Sequence, residues 1–260
     1  MVGQPPYLRT NNMGQINKII QSNHLPFTMP DRKHSLVQEW KYLTFMHWKV
    51  SPEILSYHIP KGLELDLFEG KAYIGLIPFL MKDVHPRLLF PLNGISNFPE
   101  FNVRTYVKVK NKPGVFFLTL DAQSYITCLY APYAYGLPYN YSKGSIKVDN
   151  KKYTWNSKRS RQGFELSGFS KIKSEVATLK TGTLEEFLFE RYCLFSLRKN
   201  KICIGYIQHN PWNVYKAHAK LAINNLTKSF DLGIKNLLEP EHVHMSDGVY
   251  VNAWSLQVIK

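Results

Sequence analysis

The segment Val103 to Val109 constrains the fold more than any other. Val103, Thr105, Val107 and Val109 alternate with Arg104, Tyr106 and Lys108, the period-two pattern of a strand with distinct faces. Asn111-Lys112-Pro113-Gly114 follows as a turn, and Val115 to Leu120 pairs back as the second arm of a hairpin. A hairpin needs further strands to cover it, and the chain supplies them at Tyr42–Val50, Lys71–Phe79, Tyr153–Trp155, Phe164–Phe169, Ile202–Gln208 and Val249–Val258. Leu63–Leu67 reads as extended, and Ala217–Leu221 fits strand and helix equally. Helices are few. Ser51-Pro52-Glu53 supplies an N-cap, a first-turn proline and an acid for a short helix ending near Ile59-Pro60. Thr183-Leu184-Glu185-Glu186 is a capping box for another, burying Leu184, Phe187 and Leu188. With no repeat and no linker, the expected architecture is α+β: one mainly antiparallel, barrel-like sheet with a few peripheral helices.

Residues 1–35 read as an N-terminal arm, polar, carrying Pro5-Pro6 and a weak helical patch around Ile16 to Ile20, lying on the domain or disordered. The folded part is expected from Trp40, within a domain spanning 36–260. Hydrophobic residues at 44% and aromatics at 14% suffice for a large core. No apolar run approaches the ~20 residues that span a bilayer. The longest, Tyr73 to Met81, contains Gly75 and Pro78. There is no secretion-signal pattern, and Cys128, Cys193 and Cys203 are too dispersed for a disulfide frame or zinc site. These features point to a cytoplasmic protein. The net charge of +14 concentrates between Lys143 and Lys173, where nine lysines and arginines face only Asp149 and Glu165. That is either a face for nucleic acid or another anionic surface, or a solvated surface. No nucleic-acid-binding motif accompanies it.

Several stretches together carry a resemblance: Leu43-Thr44-Phe45-Met46-His47-Trp48, Gly70 to Phe79, Phe98-Pro99-Glu100-Phe101-Asn102-Val103-Arg104-Thr105-Tyr106-Val107, Gly136-Leu137-Pro138-Tyr139, Phe187 to Tyr192, and His209-Asn210-Pro211-Trp212. From about residue 36 to the C-terminus the chain resembles the YqjF-like family of bacterial proteins of unknown function, within the acetoacetate decarboxylase-like superfamily. The resemblance implies a closed, cone-like β-barrel with an internal cavity. In the decarboxylases a lysine forms an imine with the β-keto acid, and a second lysine beside it helps keep that amine neutral. Counting from Gly114, the resemblance puts Tyr139 and Asn140 at those two positions, and neither forms an imine. It also matches Glu100 to a pocket acid and Lys41 to a pocket arginine. Asn102 and Arg104 belong to the polar set of the YqjF-like family.

Glu100, Asn102 and Arg104 differ by two and share one face of a regular strand. Alone, Glu100 and Arg104 read first as a surface ion pair worth ~0–1 kcal/mol. The resemblance puts their strand in the cavity wall, where Arg104 offers a fork of donors to a carboxylate or carbonyl and Glu100 accepts from a hydroxyl or amide. Lys41, Tyr139 and His47 complete the expected ligand-binding set. His47 reads either as an acid–base group or as a core histidine bonded to backbone. His209 reads as a turn anchor. His242 and His244 have a metal-compatible spacing but no third ligand, so no metal is expected, nor any cofactor. The function expected is binding of a small organic acid, carbonyl compound or aromatic, without acetoacetate decarboxylase activity. One alternative is a Schiff-base decarboxylase, aldolase or dehydratase using a displaced lysine, Lys41 or Lys143. A second is nucleic-acid or anionic-surface binding through 143–173. A small-molecule ligand is the expected partner, with a second copy of the chain left open; nucleic acid and membrane are not expected.

Overall fold

The computed structural model describes residues 18–177 and 179–259. In chain order its elements are β1 (Leu36–Val50), α1 (Pro52–Ser56), β2 (Glu64–Leu65), β3 (Ala72–Pro86), β4 (Phe98–Val109), β5 (Lys112–Ala122), α2 (Tyr125–Tyr135), β6 (Tyr139–Tyr141), β7 (Lys143–Asp149), β8 (Lys152–Lys158), β9 (Glu165–Ala177), α3 (Leu184–Phe189), β10 (Cys193–Arg198), β11 (Lys201–Gln208), β12 (Val214–Asn224), α4 (Asn225–Lys228), β13 (His242–Ala253) and β14 (Gln257–Val258). The β4–β5 hairpin forms with a tighter turn than expected. Val109 pairs with Lys112, and Lys110 and Asn111 both have positive φ (47° and 61°), as a two-residue hairpin turn requires. Pro113 and Gly114 therefore lie inside β5. Gly114 is needed there because a Cβ would come within 2.8 Å of the Cys193 carbonyl.

Main-chain pairing joins the strands into one 14-stranded sheet with the path β14-β11-β10-β5-β4-β3-β1-β13-β12-β9-β8-β7. β11 also pairs with β13, so the path β11–β10–β5–β4–β3–β1–β13 returns to its start. Pairings are antiparallel except β10–β5 and β5–β6. Ala217–Leu221 falls within β12, whose buried Ala217, Ala219 and Leu221 alternate with exposed polar residues and settle the ambiguity. β1 starts at Leu36, ahead of the expected Trp40; buried Gln38 between Leu36 and Trp40 hides the alternation in the sequence.

The central strands bury both faces. On one side Leu43, Phe45, Ile77, Phe79, Tyr106 and Val251 belong to one core. Behind it Met46, Trp48, Ile74, Phe101, Val103 and Trp155 form another, covered by β8, β9 and β12. Burial of such side chains stabilises by roughly 1.5–3 kcal/mol each. β1 changes the parity of its faces midway. Leu36 and Trp40 face the first core, as do Leu43 and Phe45, while Tyr42, Met46 and Trp48 face the second. The register against β3 slips between Lys41 and Met46, and Tyr42 takes φ 57°. Opposite Lys41, Gly248 of β13 has φ +126°, and a Cβ there would sit 1.9 Å from the Trp40 carbonyl oxygen. An extra residue in a strand has this consequence: everything beyond it changes sides.

Both helix starts cap as expected. The Ser51 hydroxyl accepts from Ile54 N (3.4 Å), and the Thr183 hydroxyl accepts from Glu186 N (3.4 Å). The Glu186 carboxylate reaches back to Gly182 N rather than to Thr183 N (2.6 Å). Leu188 and Phe189 are the buried residues of α3, with Leu184 and Phe187 only partly covered. Helix α2 has no counterpart among the expected elements. Of the arm, residues 1–17, with Ile16 of the helical patch, lie outside the described residues, and Lys18 to Ile20 are not helical. The next stretch lies on the sheet: Asn210 bonds the backbone of Ile19 and Gln21, and Trp254 Nε1 donates to Arg32 O (2.6 Å). All three cysteines are free thiols, Cys193 and Cys203 buried. No described helix is long and apolar enough to cross a membrane.

Candidate functional site

β4 carries the centre of the site because its neighbours leave space in front of it. Phe98, Glu100 and Arg104 line a cavity of about 340 Å³, while Phe101 and Val103, between them in sequence, pack into the core behind. Of the three polar residues spaced by two on this strand, Glu100 and Arg104 line the cavity and Asn102 does not. Most of the remaining wall is apolar, including Trp40, Met81, Phe117, Leu120, Phe189 and Trp212. That composition suits a small-molecule pocket: an apolar body with few polar groups.

Glu100 is 2% exposed. The Tyr139 hydroxyl donates to its Oε2 (2.7 Å) and Asn102 Nδ2 to its Oε1 (3.4 Å). Burial pushes the carboxyl up to about 7, outweighing those two bonds, and Asp121 adds a smaller push in the same direction. Glu100 thus exchanges a proton near neutrality. Tyr139 arrives on β6, which pairs parallel to β5 with Tyr139 opposite Leu120. Burial first, then the Glu100 charge, hold its phenol well above the usual range. Asn140 points elsewhere, donating to Thr119 Oγ1 and to Pro138 O. Asn102 is buried beside Glu100 and is not part of the cavity lining; its Oδ1 has no partner among the described residues.

Arg104 is lodged among aromatic rings. Its guanidinium carbon is 5.8 Å from the centroids of both Phe45 and Tyr106, and Nη2 makes one long bond to Leu188 O (3.5 Å). Its Nε is buried without a partner, and among the described residues no carboxylate oxygen lies within 4.0 Å of it. Glu100 and Arg104 therefore share a wall without pairing.

Lys41 and His47 are not where the expectation put them. Lys41 precedes the slip in β1, so it lies on the opposite face from Trp40, 3.9 Å from Glu39 Oε2, and does not line the cavity. His47 is fully buried behind the wall. Its Nε2 is 2.7 Å from Tyr106 Oη, which donates onward to Leu188 O (3.1 Å). His47 Nε2 is then the donor, leaving Nδ1 as a buried acceptor with no partner among the described residues. Burial holds the imidazole well below its usual range, with Arg104 adding to the effect. His47 is a core histidine, bonded to a tyrosine rather than to backbone.

Two lining residues went unread in the sequence. His209 lies on the cavity as well as in a turn, its Nδ1 2.7 Å from Asn210 O, and burial lowers its pKa to about 4. Arg191 also lines the cavity, but its charge is taken by Asp66 (2.6 Å). In the sequence both fall in stretches that carry the resemblance, Phe187 to Tyr192 and His209 to Trp212. Among the described residues no group of histidines, cysteines and acids could hold a metal; beside His242 and His244, Glu185 Oε1 is 3.8 Å from His244 Nε2. In the basic region Arg159 is buried and bound to Asp121, and Lys158 pairs with Glu165. Lys143, the other displaced-lysine candidate, is exposed at the start of β7.

This geometry sits in a chain with recognisable relatives. The chain is 33% identical over 202 residues to the uncharacterised protein YqjF of Bacillus subtilis (strain 168), covering 77% of this chain and 83% of that one. Acetoacetate decarboxylase from Legionella pneumophila superposes with TM-score 0.64 at 13% identity, covering 92% of this chain and 93% of that one. The enduracididine biosynthesis enzyme MppR, complexed with the condensation product of pyruvate and imidazole 4-carboxaldehyde, gives 0.62 at 12%, covering 94% and 98%. An acetoacetate decarboxylase-like enzyme from Sphingomonas wittichii RW1 gives 0.63 at 10%, covering 92% and 99%. These three share the fold. The model of the DUF2071 family, described as an uncharacterised conserved protein, matches residues 37–250, and the chain belongs to that family.

Proposed function

We propose that the protein binds a small organic acid with an apolar or aromatic body, its carboxylate on Arg104 and a second polar group at the Glu100–Tyr139 pair. The observation that carries this is the guanidinium of Arg104 in an apolar cavity wall, with no carboxylate oxygen within 4.0 Å among the described residues. A partly buried charge without a counter-ion in an apolar wall is costly, and an anionic ligand supplies one. Glu100, titrating near 7, gives a ligand carbonyl a donor when protonated and a hydroxyl an acceptor when ionised. In this reading residues 36–260 form one cytoplasmic domain, and the ring of strands from β11 round to β13 is a closed barrel around the cavity. The relatives add support: MppR has been captured with pyruvate, itself a small oxo acid.

The imine chemistry of the decarboxylases is not part of this function. Tyr139 holds the position the resemblance assigns to the lysine, and no lysine lines the cavity among the described residues. Acetoacetate with borohydride should leave no adduct confined to one lysine by intact mass; a stoichiometric adduct at Lys41 or Lys143 revives the Schiff-base alternative. Titration calorimetry with pyruvate and with aryl-substituted oxo acids tests the binding itself. Arg104→Met should weaken any acid that binds by about 10–100-fold, the worth of a charged hydrogen bond. Equal affinity of the wild type and this variant sinks the assignment.

A further inference from the structure

The mouth of the cavity is formed by two segments that are apolar and exposed together. One is the β3–β4 connection, which presents Leu88, Leu89, Phe90 and Leu92; the other is α2, which presents Tyr125, Ile126, Leu129, Tyr130 and Tyr133. Leu89, Phe90 and Leu92 from the first and Ile126 and Tyr130 from the second meet at the cavity, so the segments are neighbours. Phe90 is 87% exposed and Leu129 82%. A helix apolar on every side is normally a buried helix, and α2 buries only Ala131. A contiguous apolar surface of this kind marks something that covers it.

The charges around the patch decide what. Residues 84–98 and 124–141 contain no aspartate or glutamate. Arg87 lies within the first segment, beside Lys33 and His34. Arg198 packs over the Tyr133 ring (5.8 Å) and donates to its carbonyl (3.0 Å), with Lys199 exposed next to it. The acids on the flanks are Asp31, beside Arg32, and Asp83, in β3. Exposed leucine, isoleucine and phenylalanine amid tyrosines and edged by cations is the pattern that inserts into the headgroup region of an anionic bilayer. A second copy of the same chain, also at +14, would bring like charges together across the contact.

We propose that α2 and the 87–95 connection dock on an anionic lipid surface and hold the cavity mouth against it. An amphiphilic ligand then passes between bilayer and cavity without crossing water. The docking stands on exposure and charge alone, independently of which ligand the cavity takes.

The test is flotation of the full chain with vesicles of phosphatidylglycerol or of phosphatidylcholine. The wild type should float with phosphatidylglycerol and not with phosphatidylcholine. Leu88→Asp/Leu129→Asp alters two exposed side chains that do not line the cavity, and should reduce phosphatidylglycerol binding at least tenfold with the thermal melt unchanged. Lys147→Glu/Lys151→Glu, in the basic β7–β8 hairpin, should leave binding within twofold. Three results overturn the proposal. One is no flotation with phosphatidylglycerol. Another is binding lost with the β7–β8 variant and kept with the patch variant. The third is a wild type that sediments as a dimer and becomes monomeric in the patch variant, which assigns the patch to a second copy.

Discussion

Asp121 and Arg159 sit behind the sheet, Glu100 and Arg104 in front of it, and both sets take charge out of water. Behind the sheet the demand is met. Arg159 Nε lies 2.9 Å from both Asp121 oxygens, Nη1 donates to Gln162 Oε1 (2.6 Å), and Thr119 takes another N–H. In front it is not: Glu100 answers to a phenol and an amide, and Arg104 to rings and one distant carbonyl. The acids of the two sets lie on the neighbouring strands β4 and β5, with Phe101 opposite Asp121 and Glu100 opposite Ala122. A buried pair that satisfies itself has settled into structure. A buried acid and a partly buried cation that share one wall without pairing fit the ligand proposed above.

The contrast can be broken in three places. The largest effect belongs behind the sheet. Arg159→Met leaves a buried carboxylate alone and should cost about 3–5 kcal/mol in urea denaturation, with most of it restored by adding Asp121→Leu. If Arg159→Met is as stable as the wild type, the pair is not the fixed element described.

Glu100 comes next, through pH. Its folded pKa of about 7 lies above the ordinary 4.5, so the folded state holds that proton more tightly. Its contribution to stability is full below about 4.5 and is lost as pH rises through 7, amounting to roughly 3 kcal/mol. Glu100→Gln should therefore be more stable than the wild type at pH 8 and lose the advantage by pH 4.5. Parallel unfolding curves at all pH values would show that Glu100 titrates normally.

The smallest effect should be at Arg104. Because no acid in the described chain depends on it, Arg104→Met should shift stability by no more than about 1 kcal/mol in ligand-free protein. A loss near that of Arg159→Met would mean that Arg104 is a structural cation, and the two sides of the sheet would be alike.

Particular residues show how far the sequence could be read. The alternation through Glu100, Asn102 and Arg104 is local, so period two was enough to place them on one face. Whether that face met solvent or a cavity depended on partners far along the chain, and the family resemblance supplied it. Lys41 was misplaced because its side is set by a slip at Tyr42 and by Gly248 on another strand, which no local pattern reports. Helix α2 escaped because a segment apolar on all sides has no periodicity to find. His209 and Arg191 reach the cavity from connections between strands, where position is fixed by neighbours rather than by repeat.

The slip at Tyr42 decides what functional group the cavity contains. In an unbroken strand Lys41 would share a side with Leu43 and Phe45, and the chamber would hold a primary amine two residues before its aromatic wall. With the left-handed step at Tyr42, Trp40 takes that place and the amine is turned toward Glu39. The chain carries a nucleophile to the edge of its own pocket and keeps it out by backbone conformation, without a substitution. Changing the chemistry of such a pocket, by selection or by design, then calls for altering the residue count of one strand, with every side chain left as it is.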